Sequence, residues 1–286
     1  MCIRDSAEKD VRRLEALGLD TPADRSLLAG LRHRAGSANE AIDAIEQALA
    51  EDNSKPEYWI QYANLLNEAD ESERALEAVD QCLNLDRQVG DAWALRAILL
   101  SVKQGREKEA LKAATHAVAL DCGGAKLIVL KADLLAETGD LMAAEASLEK
   151  AVDKFPMDAE LRSIVASRRL SEGRIEVAQA LLDGTPSTID HPELHIVEGR
   201  LHLARADRQR DGTGKTDQLL LSSAIKSFEA ALQLNRETGV AWLGLARTQR
   251  LLKNLEEAGN SLDRARRLLG DTDSSCSIEA AMLAID

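Results

Sequence analysis

Two stretches of the sequence carry residues in arrangements that chemistry uses. Gly212-Thr213-Gly214-Lys215-Thr216 supplies the small residues, lysine and hydroxyl of a phosphate-cradling loop. Such a loop also needs a glycine five residues before the Gly-Lys-Thr glycine and a strand leading into it. Gln209 stands at that place and no strand is readable there, so the stretch reads as a polar insertion. His191-Pro192-Glu193-Leu194-His195 offers two imidazoles and a carboxylate, as a zinc-binding helix does, but the glutamate is one place late and Pro192 marks a helix start. His195 and His202 fall on large-residue packing slots, while His33 and His116 lie far away. Cysteines at 2, 82, 122 and 276 form no C-x-x-C pair and are too scattered for a zinc cluster. Cys82 occupies a small packing slot, where a thiol is buried and inert. The sequence has no G-x-S-x-G elbow and no Cys/His constellation. The expectation is therefore no catalytic residue, no metal, no cofactor and no enzymatic activity.

The elements that carry these residues are helical. Hydrophobic residues are 45% and charged residues 30% of the 286, enough to bury a core. There are 45 alanines against three Trp, two Tyr and two Phe, which favours closely packed helices over sheets. The net charge of −13 argues against nucleic acid as a partner. No run of eighteen apolar residues exists, so no membrane span is expected. The free thiols fit a reducing compartment and a cytoplasmic location, and MCIRDS has no apolar run of a secretory signal.

A period runs through the chain. Small residues stand at Ala29, Ala63, Ala97, Ala132, Ala166, Gly199 and Ala246, and a second ladder at Ala41, Ala75, Ala110, Ala144, Ala178, Ala224 and Ala258. Trp59, Ala63 and Leu66 are four and three apart, hence on one helical face. Ala75, Val79 and Cys82 repeat that spacing on a second helix, and the polar turn Asn67 to Ser72 between them makes the pair antiparallel. Small residues mark where helix axes approach closely, and larger neighbours fill the space beside them.

This unit of about 34 residues resembles the tetratricopeptide repeat. The large-small-large signature of its first helix appears as Trp59-Ala63-Leu66, Trp93-Ala97-Leu100, Ile128-Ala132-Leu135 and Trp242-Ala246-Gln249. That of its second helix appears as Ala41-Ile45-Ala48, Ala144-Leu148-Ala151, Ala224-Phe228-Ala231 and Ala258-Leu262-Ala265. Gly36-Ser37, Gly139-Asp140 and Gly173-Arg174 supply turns, and the closing proline survives at Pro156. The resemblance implies an all-α, right-handed α-solenoid of about seven helix-turn-helix repeats. The units fall at 22–55, 56–89, 90–124, 125–158, 159–191, 192–238 and 239–272. The fifth is degenerate, and the sixth carries an insertion within 207–222. Residues 1–6 read as a non-native or disordered leader, 7–18 as the second helix of a preceding unit, and 273–286 as the first helix of a further unit or a terminal helix. The array thus reads as cut from a longer one.

In the family the concave groove is lined mainly by first helices. Carrying those positions over gives Gln61, Asn64 and Asn67, then Lys126 and Asp133, then Arg200, Arg247 and Arg250. The lysine–asparagine clamp of the chaperone-tail-binding members is not matched: Ile60 precedes Asn64 where the lysine belongs, and another unit has Ser26 and Gly30. Residues 51–100 hold four basic and eleven acidic residues, whereas 200–267 hold thirteen basic and eight acidic. Arg200, Arg247 and Arg250 are expected to face one concavity and to attract a carboxylate-rich peptide, unless Glu193 and Glu198 pair with them. The expected function is a non-catalytic scaffold that binds a protein or peptide. The alternative is the recruiting arm of a larger enzyme, such as a transferase, whose catalytic domain is missing.

Overall fold

The computed structural model describes residues 6, 9–11, 13, 18, 21–186, 188–214, 217–270 and 272–285, and all regular structure among them is helical. Of the expected leader only Ser6 is described, and most of the expected half repeat at 7–18 also lies outside the described residues. The chain divides into two units, residues 1–150 and 151–286.

The first unit is built from α1 (Pro22–Arg34), α2 (Ala38–Glu51), α3 (Pro56–Glu68), α4 (Ser72–Leu85), α5 (Gly90–Ser101), α6 (Glu107–Ala119), α7 (Gly124–Glu137) and most of α8 (Leu141–Lys154). Thr21 opens α1 with a capping box: its hydroxyl accepts from the Asp24 amide at 3.2 Å, and Asp24 Oδ2 accepts from the Thr21 amide at 3.1 Å. Pro56 stands in the first turn of α3, where a missing N–H costs nothing. Successive helices pair as hairpins, α1 on α2, α3 on α4, α5 on α6, and each hairpin packs on the next, first helix also touching first helix. The close approaches are where the small ladders predict them. Ala29, Ala63, Ala97 and Ala132 are fully buried, as are Ala41, Ala75 and Ala110. Cys82 is buried among them, and that burial pushes its thiol up to about 11.

Five of the hairpin turns use one device. The residue after the helix cap adopts the left-handed conformation: Gly36 (φ 83°), Asp70 (φ 60°), Gly139 (φ 94°), Gly173 (φ 74°) and Lys253 (φ 65°). The next amide then donates back to the carbonyl five residues earlier, as Ser37 does to Arg32 at 2.9 Å and Glu71 to Leu66 at 2.9 Å. Asp140 to Leu135, Arg174 to Arg169 and Asn254 to Gln249 repeat it. Three of the junctions between hairpins use another. Trp59 Nε1 donates to the Asn53 carbonyl, Trp93 to Arg87 and Trp242 to Arg236, each at 2.9 Å across six residues. Just upstream, the side chains of Asp52, Asp86 and Asn235 accept from the amide two residues on, closing a small turn that aims the carbonyl at the indole.

The second unit comprises α9 (Ala159–Ser171), α10 (Ile175–Asp183), α11 (Pro192–Thr213), α12 (Gln218–Leu234), α13 (Gly239–Leu251), α14 (Leu255–Leu269) and α15 (Ser274–Ile285). The degenerate repeat shows as a short second helix, α10, of 9 residues. Buried Arg162 closes it: Nε donates to the Pro156 carbonyl at 3.0 Å and an NH group to the Leu181 carbonyl at 3.1 Å, satisfying an acceptor in the last turn. The insertion forms mostly helix, extending α11 to 22 and α12 to 17 residues. Asp-Arg-Gln-Arg-Asp at 207–211 contains no breaker, so the helix runs on until Gly214 (φ 70°), and Asp217 caps the start of α12. Phe228 on α12 fills the core of this unit, lying against Gly199 of α11 and Gly244 of α13.

Candidate functional site

Within the second unit the first helices α9, α11, α13 and α15 touch in succession and line three adjoining concavities. One, of about 490 Å³, is walled by Ser163, Ile164 and Ser167 of α9, Glu193 and Val197 of α11, and Val240 of α13. A second, of about 400 Å³, lies between α11, α13 and α15, with Leu203, Leu243 and Ile278 on its walls. A smaller one of about 180 Å³ adjoins Leu170, Asp207 and Arg247. Arg200 lines all three. Val240 and Ile278 leave 45% and 64% of their surface open, and Arg168, Arg247, Glu193, Asp207 and Glu279 share the lining with Arg200.

The three arginines predicted to share this concavity have different fates. Arg200 is exposed, and an NH group donates to Ser167 Oγ at 2.6 Å across α9 and α11. Arg247 also lines the groove, but its guanidinium is held by Asp207 at 2.7 Å, and Asp207 in turn engages Arg210 at 3.1 Å. Arg250 does not face the groove. It is buried at 7% side-chain exposure and pairs through Nε with Glu279 of α15, itself 9% exposed, at 2.6 Å. The i to i+3 spacing of Arg247 and Arg250 puts them on neighbouring turns, but α15 docks over the second of them and converts it into a buried clasp. The acids named as partners do not pair with them: Glu198 accepts from Ser227 at 3.1 Å and stands 3.6 Å from His195, and Glu193 lines the larger concavity two turns before Arg200 without an ion pair to it.

In the first unit, Gln61 is taken up by packing. Its Oε1 accepts from Ser26 Oγ at 2.6 Å and its Nε2 donates to the Ser26 carbonyl at 3.0 Å, tying α3 to α1. Asn64 is exposed and Asn67 half-buried on α3; Lys126 is exposed and Asp133 half-buried on α7. Among the described residues no group of three or more His, Cys, Asp or Glu side chains is placed to hold a metal ion. His195 pairs with Asp190 at 2.7 Å, whereas His202 is half-buried with its Nδ1 lacking a hydrogen-bond partner, and desolvation lowers its pKa. No helix among the described residues is long and apolar enough to cross a membrane.

No family model and no curated protein matches the chain. Solved structures do. Yeast Tom70 superposes with a TM-score of 0.69 at 16% identity, over 99% of this chain and 59% of that one. A tetratricopeptide repeat protein from Parabacteroides merdae gives 0.56 at 19%, over 86% and 91%. Human IFIT1 in a dimer with m7Gppp-AAAA gives 0.53 at 20%, over 93% and 72%. The small-residue register, the repeated left-handed turns and these likenesses agree: the chain has the tetratricopeptide-repeat fold.

Proposed function

We propose that the chain is a non-catalytic scaffold that binds an extended segment of a partner protein in the groove of its second unit. The observation that carries this reading is the groove itself. Four first helices supply an open trough in which the exposed aliphatic side chains Val240 and Ile278 and the cation Arg200 are brought together. Exposed apolar walls without a partner mark interaction surfaces, and an extended peptide suits a trough that is long, shallow and open. Of the residues first assigned to a groove, Arg200 and Arg247 remain its candidates in this unit; Asn64, Asn67, Lys126 and Asp133 would serve a separate surface of the first unit.

Selection of random octapeptides displayed on phage against the full chain tests this. Selected peptides should lose roughly tenfold or more in affinity for Val240→Lys, which puts a charge on the apolar wall. They should bind normally to Leu219→Lys, which alters a residue 80% exposed on α12. A selection that returns no binder, or binders indifferent to Val240→Lys, rules the groove out.

A further inference from the structure

Arg200 is the arginine that lines all three concavities, and it is held differently from Arg247 beside it. Arg247 is neutralised by Asp207. Arg200 is fixed by a neutral hydroxyl, Ser167 Oγ, and among the described residues no carboxylate lies within ion-pair distance of it. That bond uses one N–H of a guanidinium that has five, so an edge of the fork stays available to accept a planar anion. Ser167 also fixes the side chain's position in advance, which lowers the ordering cost of a second partner. The cation lines all three concavities, together with Val240, Leu243 and Ile278, and with Glu193 two turns earlier on the same helix.

Resting on the groove reading above, we infer that Arg200 is the specificity centre of the groove and takes a single aspartate or glutamate side chain of an extended peptide, with an adjoining aliphatic or aromatic residue of that peptide seated on Val240, Leu243 and Ile278. Charge complementarity decides the class of occupant. A guanidinium with no ion-pair partner and with aliphatic Val240, Leu243 and Ile278 lining the same concavities engages a carboxylate bidentately. It also decides the number of acids. Glu193, two turns before Arg200 on α11, and Asp207 and Glu279 in the adjoining concavities repel further carboxylates, so an acidic residue among apolar ones fits and an acidic run does not.

The octapeptide selection gives the test. Enriched sequences should carry one Asp or Glu beside Leu, Ile, Val or Phe. Changing that acid to its amide, or Arg200→Gln in the protein, should each weaken binding roughly tenfold or more, and the two together should weaken it little further. Arg200→Lys should restore only part, since a lysine keeps the charge and loses the fork. Binding should fall as salt rises. Arg200 is exposed, so circular dichroism of both variants should match the parent. Peptides that need Val240 but carry no acid, or that ignore Arg200→Gln, overturn the role of Arg200 while leaving the groove standing. A selection with no binder overturns both. A 5′-triphosphorylated oligoadenylate that binds through Arg200 where no acidic peptide does would also overturn the inference and transfer the site to nucleic acid.

Discussion

Gly199→Ala should destabilise the second unit, although alanine is the better helix former by about 1 kcal/mol. A Cβ built at Gly199 lies 2.7 Å from two carbons of the Phe228 ring and 2.9 Å from a third. Ordinary carbon contacts are about 3.5–4.0 Å, so the ring would have to retreat by roughly 1 Å. Its room to move is small, because the same Cε1 and Cζ are also packed on Gly244, 2.5 and 2.4 Å from where a Cβ there would stand. Overpacking of a well-filled core costs about 1–3 kcal/mol, and a clash with three atoms of a trapped ring belongs at the upper end. Subtracting the propensity gain leaves a net loss of about 2 kcal/mol. In a Phe228→Leu background the distal ring atoms are gone, and Gly199→Ala should instead stabilise by up to about 1 kcal/mol. Native-state amide exchange across α11, α12 and α13 is the suitable assay, since stacked repeats open locally and need not unfold all at once. Slower exchange on adding Gly199→Ala to the parent, or the same change in both backgrounds, would refute the complementarity of these three residues.

Removing one side of the buried clasp, by Arg250→Ala or Glu279→Ala, should cost about 3–5 kcal/mol and release α15, seen as lost exchange protection over 276–285. The paired change Arg250→Met with Glu279→Leu should recover most of it, because neither charge is then stranded. Lys253→Gly should raise stability by about 0.5–1 kcal/mol in thermal melts, as glycine meets its positive φ of 65° without strain. His202 has a pKa lowered from 6.5 by burial, so the unfolded chain binds the extra proton first. Its contribution is complete above about pH 6.5 and falls as pH drops from there toward the lowered value. His202→Gln should flatten that part of the stability profile in urea titrations.

The fold was legible because its rule is local. A small residue every 34 or so positions fixes the register, and Ala29 through Ala132 then pack as the spacing requires. The hairpin turns were partly legible: Gly36, Gly139 and Gly173 announce a left-handed residue, while Asp70 and Lys253 take the same conformation without any such signal. The candidate site was harder, because its chemistry is decided between repeats. Arg247 and Arg250 look equivalent along the helix, and only the docking of Glu279, 29 residues later, separates a groove arginine from a buried one. Gln61 looks like a groove amide until Ser26, 35 residues earlier, claims both its ends. The tryptophan junctions could have been found, since Asp52, Asp86 and Asn235 each precede a tryptophan by seven residues.

Those junctions also make the protein its own instrument. Trp59, Trp93 and Trp242 are its complete set of indoles, and each is anchored at the seam between two hairpins. Two report on the first unit and one on the second. Their surroundings differ enough to be told apart: Trp93 stacks on His116 with ring centroids 4.6 Å apart, and Trp242 lies under the Arg264 guanidinium at 4.6 Å. Exchanging either group of tryptophans for phenylalanine therefore leaves emission from a single unit. The melting of each unit, and the effect on it of anything that enters the groove, can then be followed without attaching a dye.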